Sequence, residues 1–131
     1  MQSDQGALKM SASACELEEA QRQARFLKFW KIAVKQLGPE LFIVDCASVD
    51  DATDHNQLCP DFKAIEKHLA DQINHHHYFL YVVASFYSET LITALFATAG
   101  IGSPTIIDLQ FLTEAERMIV FSLIENYDVE W

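Results

Sequence analysis

The feature that most constrains the fold is an apolar run over residues 78–101. Its length suits a membrane helix, because about 20 consecutive apolar residues span a bilayer. Ser88 and Glu89 interrupt the run, and a glutamate in mid-span costs roughly 3 kcal/mol or more in lipid. A serine at this place is also typical of a helix start. We therefore divide the run into two segments, each too short to cross a bilayer, and predict no membrane partner.

The first of these segments, residues 78–87, decides the fold class. Aromatic and β-branched side chains occur at both odd and even positions, which favours a central strand. A wholly buried helix has the same apolar profile, so a mostly helical fold is the alternative. The second segment, residues 88–99, is predicted to be a helix that Ser88 caps and Gly100 ends.

The predicted elements alternate between helices and strands. In chain order they are helix 16–37, strand 41–46, helix 60–73, strand 78–87, helix 88–99, strand 105–111 and helix 113–127. The inner stripe of the first helix is predicted to be Phe26, Trp30, Ala33 and Leu37. The strand at residues 41–46 is predicted to be covered on both faces, and Thr113 and Glu116 to form a capping box that opens the last helix. Long crossover connections between successive strands favour parallel pairing and a sheet covered by helices. The sequence thus predicts an α/β fold with a three-stranded, mostly parallel sheet under about four helices.

The chain of 131 residues, 50% of them hydrophobic, fits a single domain. Residues 1–14 have little to bury and are predicted to be a flexible tail before a domain at residues 15–131. The three cysteines, Cys15, Cys46 and Cys59, form no close C-x-x-C pair and are odd in number. Free thiols are typical of a reducing compartment, which predicts a cytoplasmic location.

Charge is unevenly distributed along the chain. The net charge is −10, yet one short stretch holds five of the nine basic residues, namely Arg22, Arg25, Lys28, Lys31 and Lys35. From residue 36 onward, three basic residues face fifteen acidic ones. So large an acidic excess opposes a polyanion and argues against nucleic-acid binding. We predict that the basic stretch pairs instead with the acidic loop at residues 47–59, within one subunit or between two.

A metal site is the main chemical alternative. His68, Asp71 and His75 have the spacing H-x2-D-x3-H, which on a continuous helix places all three side chains on one side. Two imidazoles and a carboxylate suit zinc, nickel or iron. The simpler interpretation is a solvated helix face that contains histidines. We expect no cofactor, and no catalytic residues, because no acid and base pair stands out.

The last predicted helix carries the candidate partner-binding residues. The inner arc of this helix is predicted to consist of Ile119, Val120, Leu123, Ile124 and Tyr127. Met118 and Phe121 project to a different side, beside Glu114 and Glu125. Together with Trp131 they have the chemistry of an interface, with apolar anchors and an anionic rim. In the alternative, Met118 and Phe121 pack under the first helix or the sheet.

The sequence as a whole predicts a small acidic protein-binding module without catalytic activity. An inhibitor or immunity-type protein for a basic partner has this size and charge, and a homodimer is a further expectation. The alternative is a metal-binding protein or metal-dependent enzyme that uses His68, Asp71 and His75. A third possibility is a ligand-binding domain with a pocket between the acidic loop and the strand ends.

Overall fold

The protein is mostly helical. The computed structural model describes residues 2–71, 77–102 and 104–131, with side chains from residue 14 onward. The helices and strands are α1 (Gln2–Leu37), β1 (Phe42–Val44), β2 (Leu58–Pro60), α2 (Phe62–Asp71), α3 (His77–Thr98) and α4 (Glu114–Glu125). Short 3-10 turns lie at Pro39–Leu41, Val49–Asp51, His55–Gln57 and Ile106–Phe111. The structure is 74% helical, and its sheet has two antiparallel strands. The predicted α/β fold with a three-stranded, mostly parallel sheet is therefore wrong, and the mostly α alternative fits better.

The buried stripe of α1 forms one side of the core. Phe26, Trp30 and Ala33 are fully buried, which confirms the predicted inner face of this helix. The helix ends at Gly38, whose φ of 116° lies in a region that glycine adopts without steric cost. It begins at Gln2, well before the predicted start. The predicted boundary between a tail at residues 1–14 and a domain at residues 15–131 stays a prediction.

The sheet is small and lies against α1. β1 pairs with β2 in antiparallel register, with Val44 opposite Leu58. The predicted strand at residues 41–46 is confirmed at its centre, but its burial on both faces is wrong because Ile43 is 55% exposed. β2 falls within residues predicted as a loop and a helix start. The buried Trp30 indole donates a hydrogen bond to the Leu58 carbonyl at 2.9 Å, which ties α1 to β2.

Residues 78–87, predicted as a strand, form the first part of helix α3 instead. The helix breaks at Ser88, whose φ of −156° and ψ of 103° are extended. The Tyr81 hydroxyl lies 2.8 Å from the Thr93 hydroxyl, twelve residues away. A straight helix would separate these residues by about 18 Å, so α3 folds back on itself at Ser88. We call its two parts the first arm (residues 77–87) and the second arm (residues 89–98).

The predicted helix start at Ser88 is confirmed, since its hydroxyl accepts a hydrogen bond from the Leu91 N–H at 3.2 Å. By length and composition, α3 is long and apolar enough to cross a membrane. The fold-back divides that length, because the rings of His77 and Phe96 lie 6.3 Å apart. Each arm is about 16 Å long, whereas the hydrocarbon core of a bilayer is about 30 Å thick.

The strand predicted at residues 105–111 is also wrong, because the chain forms a 3-10 turn at Ile106–Phe111. The Asp108 carboxylate accepts a hydrogen bond from the Thr105 N–H at 2.7 Å. Such a bond from side chain to backbone favours a turn over an extended ladder. Ile106 and Ile107 are 83% and 70% exposed, so their β-branched side chains do not enter the core.

Helix α4 completes the core against α1 and α3. Its predicted capping box is confirmed: the Thr113 hydroxyl accepts from the Glu116 N–H at 3.1 Å, and the Glu116 carboxylate accepts from the Thr113 N–H at 2.8 Å. Ile119, Val120 and Leu123 are buried, as their spacing predicts. The opposite side of α4 stays exposed and forms the site described next.

Candidate functional site

The exposed side of α4 carries a row of large apolar side chains. Met118, Phe121 and Ile124 are 62%, 58% and 56% exposed, and they recur every three residues, so they lie next to one another. We call these three residues the α4 patch. The prediction assigned Ile124 to the inner arc, which is wrong. A helix is stabilised in a fold mainly by the apolar surface that it buries, so these exposed side chains contribute little to the free energy of folding.

A groove runs beside the α4 patch, between α4 and the first arm of α3. Its first part has a volume of about 140 Å³ and is lined by Val82, Leu109, Leu112, Arg117, Val120, Phe121 and Ile124. Its second part, about 240 Å³, is lined by Val82, Ser85, Phe86 and Tyr127. Val82 is common to both, so we treat them as one α3–α4 groove. From Arg117 to Tyr127 it extends about 15 Å by the helical rise.

The walls of the α3–α4 groove are almost entirely apolar. Arg117 is the one charged residue in its lining. The Tyr127 hydroxyl donates a hydrogen bond to the Phe86 carbonyl at 3.2 Å, which joins α4 to α3 at the far end. The predicted rim residues Glu114 and Glu125 are exposed at the first and last positions of α4. Chemically, this arrangement suits an apolar ligand surface with cationic flanks.

Sequence reasoning missed the groove because it treated residues 78–87 and 105–111 as strands. Those strand assignments do not place Val82 and Leu109 beside α4. The available signal was the Ser88 cap, which already required a turn in the middle of the apolar run. A helix on both sides of that turn brings the first arm alongside α4.

Trp131, the fifth predicted partner-binding residue, lies in an aromatic cluster. Its ring centroid is 5.0 Å from that of Trp30, 4.5 Å from that of His55 and 5.1 Å from that of Tyr87. The His55 Nε2–H donates to the Glu130 carbonyl at 2.9 Å. These contacts hold residues 127–131 against α1 and the His55–Gln57 turn. Trp131 is therefore an anchor of the fold, and its part in partner binding stays a prediction.

The prediction that the basic stretch pairs with the acidic loop is confirmed at Asp50. The Lys35 ammonium forms an ion pair with the Asp50 carboxylate, and the Lys31 ammonium donates to the Asp50 carbonyl at 3.0 Å. The hydrogen bond and charge of Lys35 hold the pKa of the Asp50 carboxyl below its ordinary value, and the charge of Lys31 adds to this. Both side chains of the ion pair are at least half exposed, so it stabilises the fold only slightly.

The two arginines of the same stretch bind the C-terminal segment. Arg22 pairs with Asp128 at 3.4 Å, and the Arg25 Nε–H donates to the Asn126 side-chain oxygen at 2.9 Å. With Lys31 and Lys35, four of the five clustered bases thus have partners inside the protein. Two of these partners, Asp128 and Asp50, are carboxylates, whereas the acceptors of Arg25 and Lys31 are uncharged oxygens. The basic stretch therefore keeps part of its charge, within a chain whose net charge is −10.

An acidic cleft of about 590 Å³ lies between α1, the His55–Gln57 turn and the C-terminal segment. Its carboxylates are Glu19, Asp54, Asp128 and Glu130. The sequence placed a possible ligand pocket beside the acidic loop, at the strand ends. The cleft does border that loop, but its other walls come from α1 and the C-terminal segment. Arg22 already neutralises Asp128 there, and the carboxylates of the cleft add to the acidic surface.

The predicted metal set is not assembled in the part of the chain that the structure describes. His75 lies outside the described residues, while the ring of His68 lies 5.8 Å from that of His77. Within residues 2–71, 77–102 and 104–131, no group of three histidine, cysteine, aspartate or glutamate side chains is placed to hold a metal ion. The thiols are free, and burial, followed by the charge of Asp54, raises the pKa of Cys59. Cys59 therefore keeps its proton and is a poor nucleophile.

Comparison with protein families, with curated proteins and with solved structures finds no match for this chain.

Proposed function

We propose that this protein is a small acidic binding module, without catalytic activity of its own, that binds a basic protein through the α4 patch and the α3–α4 groove. An inhibitor or immunity-type role in the cytoplasm is part of the same proposal, and the free thiols are compatible with a reducing compartment. The observation that carries the proposal is the exposed row of Met118, Phe121 and Ile124 beside an apolar groove.

The apolar surface supports an interface but does not complete one. Fully burying a large apolar side chain contributes about 1.5–3 kcal/mol, so three half-exposed side chains contribute about 3 kcal/mol together. Micromolar affinity corresponds to a net binding free energy of about −8 kcal/mol, so the interface also has to offset the entropic cost of association. The groove behind the patch and the charges around it therefore have to contribute as well.

Charge favours a basic partner over other proteins. The chain carries a net charge of −10, and internal pairs engage four of its five clustered bases. Glu114 and Glu125 are exposed at the two ends of α4, where they can meet lysine or arginine side chains around an apolar contact. Complementary charge of this kind raises the association rate, and the attraction weakens as the salt concentration rises.

The test compares two matched variants. Phe121→Asp places a charge in the α4 patch, and Leu17→Asp makes the same kind of change at a residue of α1 that is 60% exposed. Proteins retained from host extract are identified, purified and titrated against each variant at low and high salt. We expect a basic partner whose Kd rises about tenfold or more with Phe121→Asp, stays near the original value with Leu17→Asp, and rises with salt.

Two outcomes contradict the proposal. If the partner binds the original protein and the Phe121→Asp variant with equal affinity, the α4 patch is not part of the interface. If the affinity does not change with salt concentration, the partner is not recognised through its basic charge. Sedimentation of the purified protein tests whether a second copy of the chain occupies the α4 patch. A dimer that Phe121→Asp dissociates means that a second copy of the chain covers the patch.

A further inference from the structure

We infer that the α3–α4 groove binds an amphipathic helix of about ten residues, antiparallel to α4 and basic on the side that faces away from the groove. This inference rests on the proposed function, since it names the segment that the basic partner inserts. Three features carry it: the chemistry of the walls, the length of the groove and the placement of charge at its ends.

The walls favour a helix over an extended peptide. They consist of helical and 3-10 elements whose backbone groups bond locally, so they offer no strand edge for pairing with a ligand. The two described strands lie elsewhere and do not line the groove. An extended peptide would bring unpaired N–H and C=O groups against apolar side chains, and each such group costs about 1–3 kcal/mol. A helix satisfies its own backbone and needs only an apolar face.

The length of the groove gives the length of the bound segment. From Arg117 to Tyr127 the groove extends about 15 Å, which ten helical residues fill at 1.5 Å per residue. Ten extended residues would reach about 33 Å and run past both ends. A helix of this length presents about three apolar side chains on one face, at positions i, i+3 or i+4, and i+7.

Charge sets the direction of the bound helix. Arg117 lines the end of the groove near the start of α4, and Glu125 is exposed near the other end, where Tyr127 closes it. The amino end of a helix is partially positive and its carboxyl end partially negative. Glu114 is exposed at the same end as Arg117 but does not line the groove, so Arg117 is the charge that the end of a bound helix meets there. The bound helix therefore places its carboxyl end towards Arg117 and its amino end towards Glu125. Lysine or arginine side chains at the borders of its outward side then lie nearest to Glu114 and Glu125.

Synthetic peptides of about 18 residues, long enough to form a helix on their own, test the inference. The first has leucine at helical spacing and lysine elsewhere. The second has the same composition with leucine and lysine alternating, and the third replaces each lysine of the first with glutamate. Binding is measured by anisotropy of the labelled peptides and by amide shifts of the isotope-labelled protein.

We expect the first peptide to bind about tenfold or more tightly than the second and to shift the amides of Val82 and Leu109. Phe121→Asp should weaken that binding about tenfold, while Leu17→Asp leaves it unchanged. A spin label at the amino end of the peptide should broaden Glu125 more than Arg117. The reverse pattern of broadening overturns the antiparallel orientation.

The remaining outcomes separate this inference from the proposal on which it rests. Equal binding of the first and second peptides overturns the helical occupant and leaves a basic partner in place. Equal binding of the first and third peptides overturns the basic partner and leaves a helix in the groove. Binding by none of the three, or binding that Phe121→Asp does not weaken, overturns the helix-in-groove inference.

Discussion

Replacement of the two tryptophans, one at a time, by phenylalanine tests how the core is held together. Trp30 is fully buried and its indole donates to the Leu58 carbonyl at 2.9 Å. The buried indole N–H of Trp131 has no hydrogen-bond partner among the described residues. The rings lie 5.0 Å apart, so the same substitution is made twice in one aromatic cluster. Only one of the two changes removes a hydrogen bond.

The expected magnitudes differ for this reason. Trp30→Phe leaves the Leu58 carbonyl without its indole donor, which costs about 1–3 kcal/mol. It also removes part of a fully buried ring, which adds roughly 1–2 kcal/mol for the cavity. Trp131→Phe opens space at a partly exposed position and removes an unpaired N–H whose burial was unfavourable. We therefore expect a loss of about 2–5 kcal/mol for Trp30→Phe and about 1 kcal/mol or less for Trp131→Phe.

Urea unfolding followed by circular dichroism measures both losses. Tryptophan fluorescence is unsuitable, because the chain has two tryptophans and each variant removes one of them. With a urea m-value of about 2 kcal/mol/M, the midpoint should fall by about 1–2.5 M for Trp30→Phe and by about 0.5 M or less for Trp131→Phe. Midpoints that agree within about 0.3 M would refute the assigned role of the Trp30–Leu58 hydrogen bond.

Three further changes test individual contacts. Thr113→Ala removes the cap of α4, and urea unfolding should show a loss of about 1 kcal/mol; no change would mean that the capping box is not formed in solution. Tyr81→Phe removes the bond to Thr93 that joins the two arms of α3, with an expected loss of about 1 kcal/mol by the same assay. Lys35→Met should raise the pKa of Asp50 towards its ordinary value in an NMR titration. Because the pKa of Asp50 is lowered in the folded state, the ion pair stabilises the protein above about pH 4, the unfolded pKa, and this stabilisation is lost as pH falls through the folded value. An unchanged Asp50 pKa in this variant would contradict the assignment to Lys35.

The parts of the fold that the sequence predicted correctly carry local signals. The stripe of α1 has helical spacing, and the starts at Ser88 and Thr113 are set by side-chain oxygens that accept nearby N–H groups. Such signals depend on a few neighbouring residues, so they do not change with the tertiary contacts of the rest of the chain. The same spacing predicts that Met118 and Phe121 project away from the inner arc of α4, but it does not decide between their exposure and packing under the first helix or the sheet.

The parts that failed depend on distant contacts. Residues 78–87 are apolar at almost every position, so they carry no period that separates a strand from a buried helix. The fold-back at Ser88, with Tyr81 against Thr93, makes the helix the better choice because it buries both arms against each other. β2 is three residues long and contains Cys59 and Pro60, which gives no strand signal. The α3–α4 groove follows from these long-range choices, so the local signal at Ser88 is not sufficient to predict it.

The distribution of charge argues for a different protein rather than a second copy as the occupant of the α4 patch. Two copies that meet through α4 each bring a net charge of −10, and their clustered bases are largely engaged by Asp50, Asp128 and Asn126 within each chain. Approach of a second copy is thus opposed by repulsion that extends over a Debye length of about 8 Å at physiological salt. A basic partner replaces that repulsion with attraction while it buries the same apolar row. The ion pairs at Asp50 and Asp128 each neutralise one charge of either sign, so they leave the net charge of −10 unchanged, and this acidic excess is what favours a basic partner in the proposal.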